Sequence, residues 1–238
     1  MIKKNLYLSP NYSNKKRTNK NIKFIIIHYT GMQSEIESIK RLKDKNSKVS
    51  CHYLINRKGE VFNMVPDKKI AWHAGKSKWK KFKNLNGSSI GIELVNKGHN
   101  FGYQNFTNIQ IMSLISLCKK LKKKYNIRNS NFLGHSDIAP HRKIDPGEKF
   151  PWKKLSKFDL GIWYKEKNIK INFSDNKKNK VIFFKNLYKI GYRYFHLHKR
   201  VKKDKSVIKA FQQRYRSSKV NGEIDQKTLK ISHFLASK

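Results

Sequence analysis

The sequence predicts an α/β fold, a mixed central β-sheet flanked by helices, followed by a small all-α part of three helices. Three observations carry this. Along residues 1–165, short β-branched runs bounded by turn residues alternate with segments of helical period. A polar, lysine-rich stretch follows Trp163. Three short apolar patterns at helical spacing then close the chain.

The run Phe24-Ile25-Ile26-Ile27-His28-Tyr29 predicts a strand over 24–29, and a helix follows over 34–45. Strands at 52–57 and 60–64 form a hairpin through the turn Arg57-Lys58-Gly59-Glu60. Ser89-Ile90-Gly91-Ile92-Glu93-Leu94-Val95 predicts another strand, 89–95. Ile111, Leu114, Ile115, Cys118 and Leu121 recur at helical spacing and predict a helix over 108–125, with Thr107 as its cap. A strand at 131–134 completes the set.

Residues 166–180 read as a linker, since Phe173 is the single apolar residue from Asn172 to Lys180. Helices are then expected near 181–190, 205–214 and 225–236. Val207, Ile208 and Phe211 make a core-facing set, Gly222 suits a tight turn and Asp225 can cap the last helix. The expected division is a first domain over 1–165, a linker over 166–180 and a helical domain over 181–238.

Composition bounds the rest. A chain of 238 residues can bury a full core and carry a small second domain. It contains no apolar run near the about 18 residues of a membrane span. A net charge of +40 would suit a nucleic-acid binder. The lysines are spread along the whole chain, however, and asparagine and isoleucine are abundant too, as an AT-rich genome would give. No specific nucleic-acid partner is therefore expected; attraction to anionic wall polymers or lipid headgroups, weakened by salt, is a by-product. Cys51 and Cys118 lack CxxC spacing and read as buried free thiols. The first twelve residues hold neither an apolar signal core nor a cysteine for lipidation, which places the chain in the cytoplasm by sequence.

The chemistry-bearing residues are scattered. His28 ends the first apolar strand, while His135 and Asp145 bracket most of the stretch from Gly134 to Gly147. Two neutral imidazoles and one carboxylate suit a zinc ion that keeps a fourth position for water, the pattern of a hydrolytic site. Nothing local forces His28 near His135, and a histidine closing a buried strand is also a common hydrogen-bonded core residue. Glu93 adds weight, because a carboxylate among apolar strand residues needs a partner or a task.

These segments occur in order: His28-Tyr29-Thr30 after an isoleucine run, Ala71-Trp72-His73-Ala74-Gly75, Ser89-Ile90-Gly91-Ile92-Glu93-Leu94, Gly134-His135-Ser136-Asp137-Ile138-Ala139-Pro140 and Lys143-Ile144-Asp145-Pro146-Gly147. Together they resemble the zinc-dependent N-acetylmuramoyl-L-alanine amidases of the type-2 family, which includes phage-lysozyme-type amidases and peptidoglycan recognition proteins. The likeness covers about residues 6 to 165. Val207 to Arg214, Asn221 to Asp225 and Thr228-Leu229 are similar to the small three-helix peptidoglycan-binding domain found beside many wall hydrolases.

The resemblance implies a mixed sheet with zinc at one edge, held by His28, His135 and Asp145. It implies that Glu93 is the base that takes a proton from the attacking water and that Lys143 stabilises the oxyanion. His73 and Trp72 would contact substrate on the cleft wall, with Asn86 beside them. Partners would be peptidoglycan or muropeptides, cut at the amide between the lactyl group of N-acetylmuramic acid, or its anhydro form, and L-alanine, by a monomer. Wall-associated action is the family's alternative to a cytoplasmic one. A non-catalytic peptidoglycan-recognition protein is the rival, and the complete His28, His135, Asp145 and Glu93 set argues against it. Taken singly, Glu93 could be a salt-bridged strand residue and Lys143 one of many solvated lysines. His141 departs from the family pattern, where a small residue is usual. His52 reads as structural, and His/His/Asp sets also accept neighbours of zinc.

Overall fold

A computed structural model of the chain describes residues 2–3, 6–165 and 176–238. Its strands are β1 (Ile2–Lys3), β2 (Tyr12–Ser13), β3 (Phe24–Tyr29), β4 (Tyr53–Ile55), β5 (Val61–Asn63), β6 (Ile70–Ala71), β7 (Lys78–Trp79), β8 (Phe82–Lys83), β9 (Ser89–Leu94) and β10 (Phe132–Gly134). Its α-helices are α1 (Glu35–Lys43), α2 (Asn108–Tyr125), α3 (His135–Ile138), α4 (Trp152–Ser156), α5 (Asn176–Ile190), α6 (Asp204–Tyr215) and α7 (Gln226–Ala236).

Six strands form one sheet in the order β1-β5-β4-β9-β3-β10. The β4–β5 hairpin is antiparallel and every other pairing is parallel, so the sheet is mixed as expected. Strand side chains alternate between faces, and β3 and β9 use that alternation throughout. Ile25, Ile27, Ile90, Ile92 and Leu94 enter a dry core against Ile111, Leu114, Ile115, Cys118 and Leu121 of α2. Gln110 of the same helix is buried and donates from Nε2 to the carbonyls of Ile55 and Val95, both at 3.1 Å, which ties helix to sheet. Thr107 caps α2 by accepting from the Gln110 N–H at 3.2 Å.

The other face carries Phe24 and Ile26. They share a core with Leu133, Ile138, Phe183, Phe184, Leu187, Val207, Phe211 and Leu229, so the C-terminal helices pack directly on the sheet. Asp225 caps α7 by accepting from the Thr228 N–H at 3.0 Å. Helix α5 begins at Asn176, inside the segment read as a linker, and 166–175 lie outside the described residues. A two-residue strand at Ile2–Lys3, parallel to β5, extends the sheet at its N-terminal edge. Cys51 and Cys118 are both buried and free. No helix among the described residues is long and apolar enough to cross a membrane.

Candidate active site

Parallel strands bring the predicted ligands to one end of the sheet. In the β3–β9 pair His28 stands opposite Glu93, one residue from the carboxyl end of each strand, and opposite residues share a face. His135 follows β10 directly, at the sheet edge next to β3. Asp145 lies in the following loop, anchored where its carbonyl accepts from the Ser136 N–H at 2.8 Å. Gly134 permits this approach, because a Cβ there would stand 2.7 Å from Pro146 Cδ. The result is the site that open α/β sheets favour, at the carboxyl ends of their strands.

His28, His135 and Asp145 are buried and form a potential metal-binding group. His28 Nδ1 lies 2.9 Å from His135 Nδ1 and 3.0 Å from Asp145 Oδ2, and His135 Nδ1 lies 3.1 Å from the same oxygen. The outer partners of His28 assign its proton. Ser89 Oγ donates to the Leu85 carbonyl at 2.7 Å, so it accepts from His73 Nε2–H at 3.2 Å. His73 Nδ1 is then an acceptor and takes the His28 Nε2–H at 3.0 Å. His135 Nε2 lies 3.2 Å from both the Ala74 carbonyl and Arg142 Nη2. His28 Nδ1 therefore presents a lone pair, and it faces His135 Nδ1 and the Asp145 carboxylate oxygen at ligand distances.

That arrangement fits a divalent cation. Donors bound about 2.0–2.1 Å from a tetrahedral ion stand roughly 3.3 Å apart, close to the spacing seen. Burial, and then His135, hold His28 down to about 4, so it is neutral at physiological pH. Burial pushes the Asp145 carboxyl up, but His135 and His28 pull harder and leave it below the usual carboxylate range. Ligands must be unprotonated to bind metal, and both are.

Glu93 is half-buried beside this group. Its Oε2 has no hydrogen-bond partner among the described residues. Burial first, and the Asp145 charge second, raise its carboxyl to about 8 against the pull of Lys143. A cleft of about 540 Å³ opens over these groups and is lined also by Trp72, His73 and Lys143. This volume suits a small-molecule substrate.

The remaining predicted residues take different places. Trp72 is half-buried on the wall, its N–H donating to Ser50 Oγ at 2.8 Å. His73 lines the cleft but is 8% exposed, with both ring nitrogens engaged by His28 and Ser89. Gly91 makes room for that ring, since a Cβ would sit 2.3 Å from His73 Cγ. Asn86 is not among the lining residues; its Oδ1 accepts from the backbone N–H of His73 at 3.1 Å and of Ala74 at 2.6 Å. His141 is exposed, packs its ring on Tyr194 at 5.3 Å and lines a separate cavity. His52 is buried and accepts the Gly91 N–H at 3.0 Å. Ser89 and Arg142 were not singled out from the sequence. Arg142 donates to the Ala74 carbonyl beside His135, and its position between His135 and Asp145 was the available signal. Ser89 opens the motif that contains Glu93, but its contact with His73, 16 positions away, has no local signal.

The family model described as N-acetylmuramoyl-L-alanine amidase matches residues 18–148. The chain is 34% identical over 232 residues to the N-acetylmuramoyl-L-alanine amidase AmiD of Escherichia coli K12, covering 91% of this chain and 83% of that protein. The structure of E. coli AmiD in complex with the substrate anhydro-N-acetylmuramic acid-L-Ala-D-γ-Glu-L-Lys is similar with a TM-score of 0.80 and 32% identity, over 94% of this chain and 92% of that one. Pseudomonas aeruginosa AmpDh3 in complex with anhydromuramic pentapeptide is similar with a TM-score of 0.82 and 29% identity, over 98% of each chain. Coverage this high takes in the C-terminal helices as well as the sheet.

Proposed function

The chain belongs to the N-acetylmuramoyl-L-alanine amidase family, and from that premise we propose that it hydrolyses the amide between the lactyl group of N-acetylmuramic acid, or its anhydro form, and L-alanine in muropeptides. The observation that carries this is the partnerless Oε2 of Glu93 beside the converging ligand atoms of His28, His135 and Asp145 in one cleft. Pure recognition has no use for such a group. The anhydromuramyl peptides held by AmiD and AmpDh3 favour soluble wall fragments as substrates, in wall turnover or recycling.

Zinc is the ion that two imidazoles and one carboxylate suit best; held by His28, His135 and Asp145, it would polarise the amide carbonyl and acidify water. Glu93 takes a proton from the attacking water as the water oxygen bonds to the carbonyl carbon. Lys143 stands on the cleft wall to balance the negative charge that develops on the carbonyl oxygen. Glu93 then returns the proton to the amide nitrogen and the C–N bond breaks; the lactyl carboxyl passes its remaining proton to the amine of L-alanine, and the carboxylate and the ammonium leave. Burial raises the proton affinity of the Glu93 carboxyl, which makes its ionised form a stronger base, and a cation held beside it would favour that ionised form.

His73 and Ser89 keep His28 in the tautomer that offers Nδ1, in the manner of partners that orient metal-binding histidines. Trp72 gives substrate an apolar wall, and Asn86 holds the backbone behind it. In this reading residues 1–165 carry the chemistry, and the helices from α5 onward form the helical domain, α5 beginning at Asn176 and not at 181.

The test is release of free stem peptide from a purified anhydromuramyl tripeptide, followed by mass spectrometry, with chelator and with zinc added back. Zinc-restored cleavage at the lactyl amide is expected. If folded, zinc-loaded protein bound the muropeptide and left it intact, recognition would replace hydrolysis.

A further inference from the structure

We propose that Arg214 and Tyr192, both from the C-terminal helical region, are positioning residues for the metal-binding turn, so that this region is a working part of the active site. The inference rests on the metal reading given above.

Helix α3 is a single turn whose first residue is His135. A turn so short has little stability of its own, so its orientation depends on what holds it. Asp137, two residues after His135, is that hold. Its Oδ2 accepts from the Gly134 N–H at 2.8 Å and from Arg214 Nη1 at 2.5 Å, and its Oδ1 accepts from the Tyr192 hydroxyl at 2.5 Å. Arg214 Nη2 also donates to the Phe132 carbonyl in β10 at 2.8 Å. One guanidinium thus bridges the end of the strand and the turn that follows it.

The clamp is dry. Asp137, Arg214 and Tyr192 are 1%, 4% and 0% exposed, and the guanidinium lies over the Trp152 ring at 4.0 Å. Burying a charge pair carries a large desolvation cost, and apolar side chains would fill the same volume without it. What apolar packing cannot supply is a carboxylate fixed at both oxygens. With Asp137 unable to rotate, the backbone from Gly134 to Asp137 is held, and with it the direction in which His135 leaves the chain. The Ser136 N–H in the same turn donates to the Asp145 carbonyl, so the constraint extends to a second metal-binding residue.

The test uses the full chain as wild type, Tyr192→Phe, Arg214→Met and Leu235→Ala, the last a truncation in the helical core that no Asp137 contact involves. Zinc affinity is measured by competition with a chromophoric chelator, kcat and KM with the anhydromuramyl tripeptide, and stability by thermal unfolding. Tyr192→Phe should bind zinc roughly tenfold more weakly and Arg214→Met about a hundredfold, the range expected when a partner behind a metal-binding residue is lost. Their kcat should fall with KM little changed, and excess zinc should restore most of the turnover. Leu235→Ala should lose thermal stability yet bind zinc like wild type. Wild-type zinc affinity and kcat in folded Tyr192→Phe, or an equal zinc defect in Leu235→Ala, would overturn the inference; if Arg214→Met does not fold, Tyr192→Phe decides. Wild-type protein that binds no zinc would instead overturn the metal reading, and this inference with it.

Discussion

The two faces of β3 and β9 are built from alternate residues of the same segments, and they have opposite characters. Toward α2 the strands present Ile25, Ile27, Ile90, Ile92 and Leu94, all in a dry apolar core. Toward the other side they present His28, Ser89, Gly91 and Glu93, with Phe24 and Ile26 packed under the C-terminal helices. One face needs only volume and shape, and it tolerates exchange among similar side chains. The other holds polar groups placed against one another, His28 on His73 and His73 on Ser89, with Glu93 beside them, so a small change there reaches the chemistry. A step of two residues along β3, from Ile26 to His28, separates packing from function.

The comparison is broken most severely at the polar face. Glu93→Gln should keep metal and shape while losing about 10²–10⁴-fold in turnover, the usual worth of a general base. His28→Ala should lose both metal binding and turnover. Metal content and single-turnover peptide release measured on the same samples separate the two, and full activity in either would remove the role assigned to it.

Gly91→Ala comes next. The added methyl meets the His73 ring at 2.3 Å, so His73 must move off His28. A loss of roughly tenfold in zinc affinity is expected, in line with other disturbed partners of metal-binding histidines. Equilibrium competition with a chelator would reveal it, and unchanged affinity would mean that the His28–His73 contact is dispensable.

Acid should weaken the polar face through His28 and through His52, which accepts the Gly91 N–H. His28 is held down to about 4 by burial and then by His135, and His52 to about 3 by burial and then by Arg17. Both are neutral when folded and take up protons near 6.5 when unfolded, so their contribution to stability is complete above about 6.5 and declines as the pH falls toward 4 and 3. Thermal unfolding of metal-free protein should show the midpoint dropping across that window. Glu93, raised to about 8, works in the opposite direction between about 8 and 4.5, so the comparison is made in Glu93→Gln, where a flat profile would contradict the neutral, buried assignment.

The smallest effect belongs to the apolar face. Ile92→Val should cost about 0.5–1.5 kcal/mol of stability and leave kcat per folded molecule unchanged, as denaturant unfolding and a paired activity assay would show. A changed kcat would mean that the two faces are not separable.

Much of this was legible in the sequence because it is local or carried by a motif. The apolar alternation of β3 and β9, the helical period of α2 and the caps at Thr107 and Asp225 each lie within one short segment. The metal-binding group was legible through the ordered motifs that carry the family resemblance, since spacing alone left His28 unconnected to His135. What escaped depends on distance in space. Ile2–Lys3 become a strand only by pairing with Val61 and Phe62. The engagement of His73 needs three segments to meet, and the Arg214–Asp137 pair spans 77 positions. Asn176 to Lys180 are polar enough to read as linker, and they enter α5 without an apolar signal of their own.

The core shared by Phe24, Ile26 and the C-terminal helices also bears on how such a chain can change over generations. Ile26 and Phe211 answer to a common packing requirement, so drift in one is filtered by the other, and a recombination event that exchanged the helices as a cassette would leave β3 facing a surface it had never been selected to meet.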